Sequence, residues 1–212
     1  MELKVFVVNP VQVNCYLLWD ETKEAVLIDC GAWSNTEKKS IRYFIEKNGL
    51  TVKHHLNTHL HFDHVFGNAF VEEAFGVKTE ANDADWHWAE HIQERIARFG
   101  LKYEETVPPL GRVLNDGDEI LFGNQRIVAI AVPGHSPGSL AYHIPEEKVL
   151  FSGDALFHES IGRTDFPDSN HRALITSIRE KLLTLPEETK VYPGHDRETT
   201  IGFEKNYNMY LR

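Results

Sequence analysis

The chain has 212 residues, 42% of them apolar and 25% charged, which is ordinary usage for one soluble globular domain over residues 1–212 with a sizeable core. Its net charge of −10 argues against a nucleic-acid partner, because binding a polyanion depends on Lys and Arg neutralising phosphates. No run approaches the ~18 apolar residues of a membrane span, and the start Met1-Glu2-Leu3-Lys4-Val5-Phe6 lacks the basic and long apolar regions of a signal peptide, so a cytoplasmic setting is expected.

In chain order, Leu3 to Val8, Tyr16 to Trp19 and Glu24 to Ile28 read as strands. Cys15 and Cys30 flank these strands and are expected to be reduced thiols buried as small apolar groups. Ser34-Asn35-Thr36-Glu37 is a capping box opening a helix whose Ile41, Phe44 and Ile45 share a face. Asn82 caps a second helix with Asp83 and Asp85 in its first turn, and Ala84, Trp88, Ile92 and Phe99 form an apolar stripe before Gly100. A loop with Pro108-Pro109 follows from Leu101 to Gly111, and the whole segment reads equally as an outer helix or as a flap over a site. Strands are expected near Glu119 to Phe122, Arg126 to Val132, Ser139 to Ile144 and Lys148 to Phe151. Ser169 or Asn170 then caps a helix carrying Leu174, Ile175, Ile178 and Leu182 on one stripe, and Val191-Tyr192 is the last strand. Two halves of this kind imply two sheets packed face to face with helices outside.

Thr58-His59-Leu60-His61-Phe62-Asp63-His64 sets three imidazoles and a carboxylate within seven residues, more ligand density than a core or a solvated face uses. His59 and His61 are one residue apart, so on an extended segment they point the same way and can chelate one ion. Asp63 and His64 sit further round the turn, where they can face a second ion. His135, Asp154 and His195 each follow an apolar run through a glycine, at Gly134, Gly153 and Gly194, so strands deliver all three into opened loops. His87 and His91, one helical turn apart, read as a solvated face, and His54, His55, His143, His158 and His171 as structural.

The order H-x-H-x-D-H, then His, Asp and His, resembles the metallo-β-lactamase superfamily and implies its αββα sandwich. Carried over residue by residue, the resemblance gives His59, His61 and His135 to one metal, Asp63, His64 and His195 to a second, and Asp154 to both. Asp29, at the end of the strand Glu24 to Ile28, matches the superfamily's early Asp, which supports the site from behind its ligands. Within that superfamily the chain looks most like the short glyoxalase II-like hydrolases, through Asn9-Pro10, Asn14-Cys15-Tyr16, Gly134-His135-Ser136-Pro137-Gly138-Ser139, Gly162-Arg163-Thr164-Asp165-Phe166-Pro167 and Thr199-Thr200-Ile201-Gly202-Phe203-Glu204. It departs from them at Asp196-Arg197-Glu198, where Gly-Pro is usual, and at Met209, where Pro is usual.

What such a centre does follows from its charge. Two divalent ions sharing a bridging water lower its pKa toward neutrality and polarise a carbonyl, which is the chemistry of ester-type hydrolysis. Asp63 is expected to orient the resulting hydroxide and take its proton. A thiolate of pKa about 8.5 leaves without a dedicated acid, so a thioester suits this residue set, and the resemblance implies S-lactoylglutathione. Zinc is the expected metal, with iron or manganese also suited to imidazole and carboxylate donors. Metallo-β-lactamases of the commonest type carry Cys where Asp154 stands, which argues against that activity. Longer glyoxalase II enzymes hold glutathione with a basic helical domain; here Arg163, Arg197, Lys205 and Arg212 are the candidates for that grip, Arg163 foremost. Two alternatives keep the same residues: a lactone hydrolase, and a persulfide dioxygenase with one iron on His59, His135 and Asp154.

Overall fold

The computed structural model describes residues 1–98, 100 and 102–212. Glu2–Val8 (β1), Val13–Trp19 (β2) and Glu24–Ile28 (β3) form an antiparallel meander in which Val5 lies opposite Tyr16 and Leu17 opposite Leu27. The chain crosses through Asn35–Lys47 (α1) to Thr51–Leu56 (β4), which pairs parallel with β3. Phe62–Val65 (α2) and Asn68–Phe75 (α3) lead to Thr79–Ala81 (β5), then Trp86–Glu90 (α4) and Ile92–Ala97 (α5) to Arg112–Val113 (β6). These strands make one six-stranded sheet in the order β1-β2-β3-β4-β5-β6.

The second half begins with an antiparallel run of Glu119–Phe122 (β7), Gln125–Ala131 (β8), Leu140–Ile144 (β9) and Val149–Gly153 (β10). A small hairpin, Leu156–Phe157 (β11) with Ser160–Ile161 (β12), follows. His171–Ser177 (α6) then continues into a wider helical turn over Ile178–Leu182 and returns to Lys190–Pro193 (β13), parallel with β10. Thr199–Thr200 (β14) and Ile201–Tyr207 (α7) complete a sheet ordered β14-β13-β10-β9-β8-β7.

The layering follows from side-chain alternation on strands buried on both faces. From β2 and β3, Tyr16, Leu18, Val26 and Ile28 point inward to meet Phe122, Ile127, Tyr142 and Phe151 of the second sheet. Their neighbours Cys15, Leu17, Ala25 and Leu27 point outward, under Ile41 and Ile45 of α1 and Phe70 of α3. The second sheet repeats the pattern, with Ala141, Leu150 and Val191 covered by Leu174, Ile178 and Leu182. The protein is therefore an αββα sandwich of two mixed sheets. Among the described residues no helix is long and apolar enough to cross a membrane.

The capping box stands as read, with Ser34 Oγ accepting from Glu37 N (3.2 Å) and Glu37 Oε2 from Ser34 N (2.8 Å). The helix expected after Asn82 is not continuous. Asn82 does accept from Ala84 N (3.0 Å), but a 3₁₀ turn over Asp83–Asp85 precedes α4, and His91, at φ −104° and ψ 27°, separates α4 from α5. On either side of the break, Ala89, Ile92 and Ile96 enter one cluster with Leu60 and Phe66. Phe99, expected on this apolar stripe, and Leu101, the start of the expected loop, lie outside the described residues. Cys15 and Cys30 are free and buried.

Leu27 and Ile28 are consecutive, both fully buried, and face opposite layers. Leu27→Ala and Ile28→Ala are each expected to lower stability by about 2–5 kcal/mol in denaturant titrations. A near-neutral result for either would show that its face of the sheet is not covered.

Candidate metal centre

β4 ends at Leu56, and the chain runs extended through His59-Leu60-His61 into α2, with His61 at φ −65° and ψ 152° as its capping residue. On that extended stretch Leu60 turns into the cluster of Val65, Phe66, Ala89 and Ile92. His59 and His61 are thereby thrown together on the opposite side, with their ring centroids 4.7 Å apart. Asp63 and His64 lie on the first turn of α2. β8, β10 and β13 bring His135, Asp154 and His195 from the other sheet to the same edge.

The ligand atoms gather in three overlapping sets, His59 with His61 and His135, His59 with His64 and Asp154, and Asp63 with His64 and His195, with all atoms within 4.8 Å inside each set. Asp154 lies between the two sides: its Oδ1 is 3.5 Å from His64 Nε2, and its Oδ2 is 3.7 Å from His135 Nε2 and 3.6 Å from His195 Nε2. Asp63 Oδ2 is 3.3 Å from His195 Nε2 and 3.7 Å from His64 Nε2. All seven residues expected from the motif order converge here.

The outward ring nitrogens of His59, His135 and His195 are tied, which leaves their inward ones free to bind. His135 Nδ1 donates to Arg163 O (2.9 Å) and His195 Nδ1 to Val11 O (3.0 Å). Asp29, held at φ 52° at the end of β3, accepts from Thr58 N and Thr58 Oγ1 (2.7 Å each), and the same hydroxyl lies 3.1 Å from His59 Nδ1, whose proton it accepts. Asp29 Oδ2 is also 3.0 Å from His64 Nδ1. Such contacts fix tautomer and ring orientation, as partners behind metal ligands do.

The inward atoms lack protein partners. His59 Nε2, His64 Nε2 and Asp154 Oδ1 are buried without a hydrogen bond, a condition that costs free energy unless another group satisfies them. His61 Nδ1 and His135 Nε2 approach to 2.9 Å. Because His135 carries its proton on Nδ1, its Nε2 presents a lone pair there. Burial, followed by His64 and His61, pushes the His59 imidazolium well below its ordinary pKa; burial and His135 push His61 down to about 3. Both rings are neutral near pH 7, the form that binds metal. At His64 burial works the same way, but Asp29, Asp154 and Asp63 outweigh it and hold the ring well above its usual value. A proton there does a cation's work, and a divalent ion would displace it. Imidazole and carboxylate donors with no thiolate fit divalent zinc, iron or manganese.

Two glycines make room for this arrangement. A Cβ at Gly194 would stand 2.2 Å from Asp154 Oδ1 and 2.8 Å from His64 Cε1, inside the centre itself. At Gly134, with φ +145°, a Cβ would strike the backbone of Leu174 at 2.3 Å, so the glycine lets α6 close on the His135 loop.

The sequence alone did not reveal how the last ligand is held. Asn14 Nδ2 donates to Pro193 O (3.0 Å) and Asp196 O (2.9 Å), Tyr16 Oη donates to Pro193 O (2.6 Å), and Asn14 N donates to Gly194 O (2.8 Å). Nor did it show the aromatic wall, in which Trp88 and Phe166 pack on the His61 ring at 4.6 and 4.8 Å. Arg163 lies over Phe166 but is clasped by Asp165 through two 2.6 Å bonds. His87 faces Asp168 at 2.9 Å, away from any ligand set.

Fold and centre together define a metal-dependent hydrolase, and the sequence pattern of the metallo-beta-lactamase superfamily matches residues 8–195. The chain belongs to that superfamily. It is 36% identical over 212 residues to hydroxyacylglutathione hydrolase GloC of Haemophilus influenzae, an alignment covering 100% of this chain and 98% of the relative. Among solved structures it is similar to the BLEG-1 B3 metallo-beta-lactamase, with a TM-score of 0.89, 36% identity and 99% of both chains covered. It is also similar to TTHA1623 in a di-iron-bound form, with a TM-score of 0.86, 36% identity, and 98% of this chain and 100% of that one covered.

Gly194→Ala should leave the melting temperature within a few degrees while reducing bound metal and cutting turnover by about 100-fold, the scale of a 1 Å misplacement in an active site. Metal analysis and steady-state rates on the purified variant check this, and unchanged metal content would contradict the placement of Gly194 in the centre.

Proposed function

We propose that the protein is a binuclear zinc hydrolase that cleaves a thioester of a 2-hydroxy acid, of the S-lactoylglutathione type. The observation that carries this reading is the position of Asp154 between the His59–His61–His135 set and the Asp63–His64–His195 set. The likeness to a hydroxyacylglutathione hydrolase along the whole chain supports the substrate class. When bound, two divalent ions supply a nucleophile from water at neutral pH and polarise the acyl carbonyl.

The chain's own residues do the rest. Asp63, whose side chain is 13% exposed, stands at the rim beside His195, which is 22% exposed, while the side chains of His59, His61, His64 and His135 are almost fully shut off. The centre therefore opens to solvent on the Asp63 and His195 side, and substrate enters there. Asp63 holds the attacking water in line and takes its proton, which leaves with solvent through the same opening. Trp88 and Phe166 close the other side against water and form an apolar surface for the acyl group. A thiolate leaves unaided.

For the anionic carrier, three of the four candidate cations are engaged: Arg163 by Asp165, Lys205 by Glu187 (3.3 Å) and Arg212 by Asn206 O (3.2 Å). Arg197, two residues beyond His195, lies against the His158 ring at 3.2 Å, and no carboxylate pairs with it among the described residues. His158 in turn stacks on Phe203 at 4.8 Å. Arg197 is thus the cation free to hold a carrier carboxylate, in place of Arg163.

The test is metal analysis together with thiol release from S-lactoylglutathione. Two zinc ions per chain and metal-dependent release are expected, and Asp154→Asn should lose the second ion and about 100-fold or more in turnover while remaining folded. One iron per chain with oxygen consumed on glutathione persulfide would replace this reading with an oxidoreductase. Preferential cleavage of a lactone or a β-lactam would keep the centre and overturn the substrate.

A further inference from the structure

Asp85 belongs to no part of the ligand pattern, yet it is fully buried at the end of the 3₁₀ turn that precedes α4. Its Oδ2 accepts from Ser136 Oγ (2.6 Å) and its Oδ1 from Gly138 N (2.7 Å), and the backbone N–H of Leu60 donates to the same carboxylate. A Cβ on Gly138 would come within 2.8 Å of Asp85 Cγ, so the absence of a side chain there is what lets the carboxylate seat on the loop backbone. Leu60 is the residue between His59 and His61, and Ser136 directly follows His135. One carboxylate therefore grips both loops that carry the His59, His61 and His135 set.

The ordinary role of an acid in a first helical turn is to complement the helix dipole, and exposed Asp83 serves that role in the same turn. Burying Asp85 in addition costs free energy that only its hydrogen bonds offset, and those bonds come from two loops of two different sheets. We propose that Asp85 is a positioning residue that fixes His59 and His61 relative to His135, and so sets the geometry of the first metal subsite, whereas in the Asp63–His64–His195 subsite His64 is held by Asp29 and His195 by Val11 O. The 2.9 Å approach of His61 Nδ1 to His135 Nε2 is the distance it governs. Asp85 touches neither substrate nor metal in this role.

The assignment rests on the two-subsite reading of the centre, so its test isolates each subsite and uses no substrate. Co(II) is titrated into metal-free protein and followed by its visible absorption in two parent variants. His195→Ala keeps His59, His61, His135 and Asp154; His61→Ala keeps Asp63, His64 and His195. Adding Asp85→Asn is expected to weaken Co(II) binding by about 10- to 100-fold in the first parent, the usual effect of removing a partner behind metal ligands, and to leave it unchanged in the second. Ser136→Ala removes one of the three donors without burying an unpaired charge, and should shift binding in the same parent by a smaller factor. It decides the matter if Asp85→Asn does not fold. Equal weakening in both parents would mean a general loss of structure and overturn the role, as would unchanged binding in the His195→Ala parent. A His195→Ala parent that binds no Co(II) would overturn the centre itself and the role of Asp85 with it.

Discussion

The structure turns on the meeting of His61 Nδ1 and His135 Nε2, two nitrogens from different sheets held 2.9 Å apart where water hardly reaches. With its proton on Nδ1, His135 offers the Nε2 lone pair to His61 Nδ1–H, and a divalent ion binding there would take the place of that proton. Around that contact His59 Nε2, His64 Nε2 and Asp154 Oδ1 are buried without a hydrogen-bond partner. Low dielectric makes each such atom costly alone and makes a shared dication correspondingly favourable. The ties of the outer ring nitrogens, to Arg163 O, Val11 O and Thr58 Oγ1, keep the inner atoms aimed at one another.

The sequence already contained the centre because ligand identity is local and strand endings are marked by glycine. His59, His61, Asp63 and His64 lie in one short run, and Gly134, Gly153 and Gly194 announce where His135, Asp154 and His195 leave their strands. β3 was legible to its last residue because alternation and length agree there, and α1 because its capping box is local. β5 and β6 were not, since segments of three and two residues carry no period and are strands only by pairing, β5 with β4 and β6 with β5. The break at His91 escaped for a related reason: a helical stripe of apolar residues reports which side is buried, and not where the core bends.

Asp85, Trp88 and Phe166 were illegible in a different way. An acid in a first turn, a tryptophan on an amphipathic helix and a phenylalanine in a loop each have an ordinary local explanation, and only tertiary approach gives them another. The segment read as either an outer helix or a flap shares in both. It packs outward as a helix does, and through Asp85 and Trp88 it also forms the back of the centre. Asp168 fastens it further, accepting from Trp88 Nε1 at 2.6 Å. That latch favours a fixed wall over a moving lid.

The tether of Asn14 and Tyr16 to Pro193 has a consequence for the order in which the molecule assembles. These hydrogen bonds join residues 179 and 177 positions apart, so closing them requires nearly the whole chain to be in place. Contacts of such separation are late and slow to form, because the loop they close must be ordered before any reward is gained. His195, two residues beyond Pro193, is held by a further bond of the same kind, from its Nδ1 to Val11 O. A chain emerging from the ribosome would therefore carry His59 and His61 long before His195 is held in place, and the complete ligand cluster is a product of the finished fold. A metal that binds only the complete cluster would stabilise the native state over every partly folded one by mass action, and so would latch the fold.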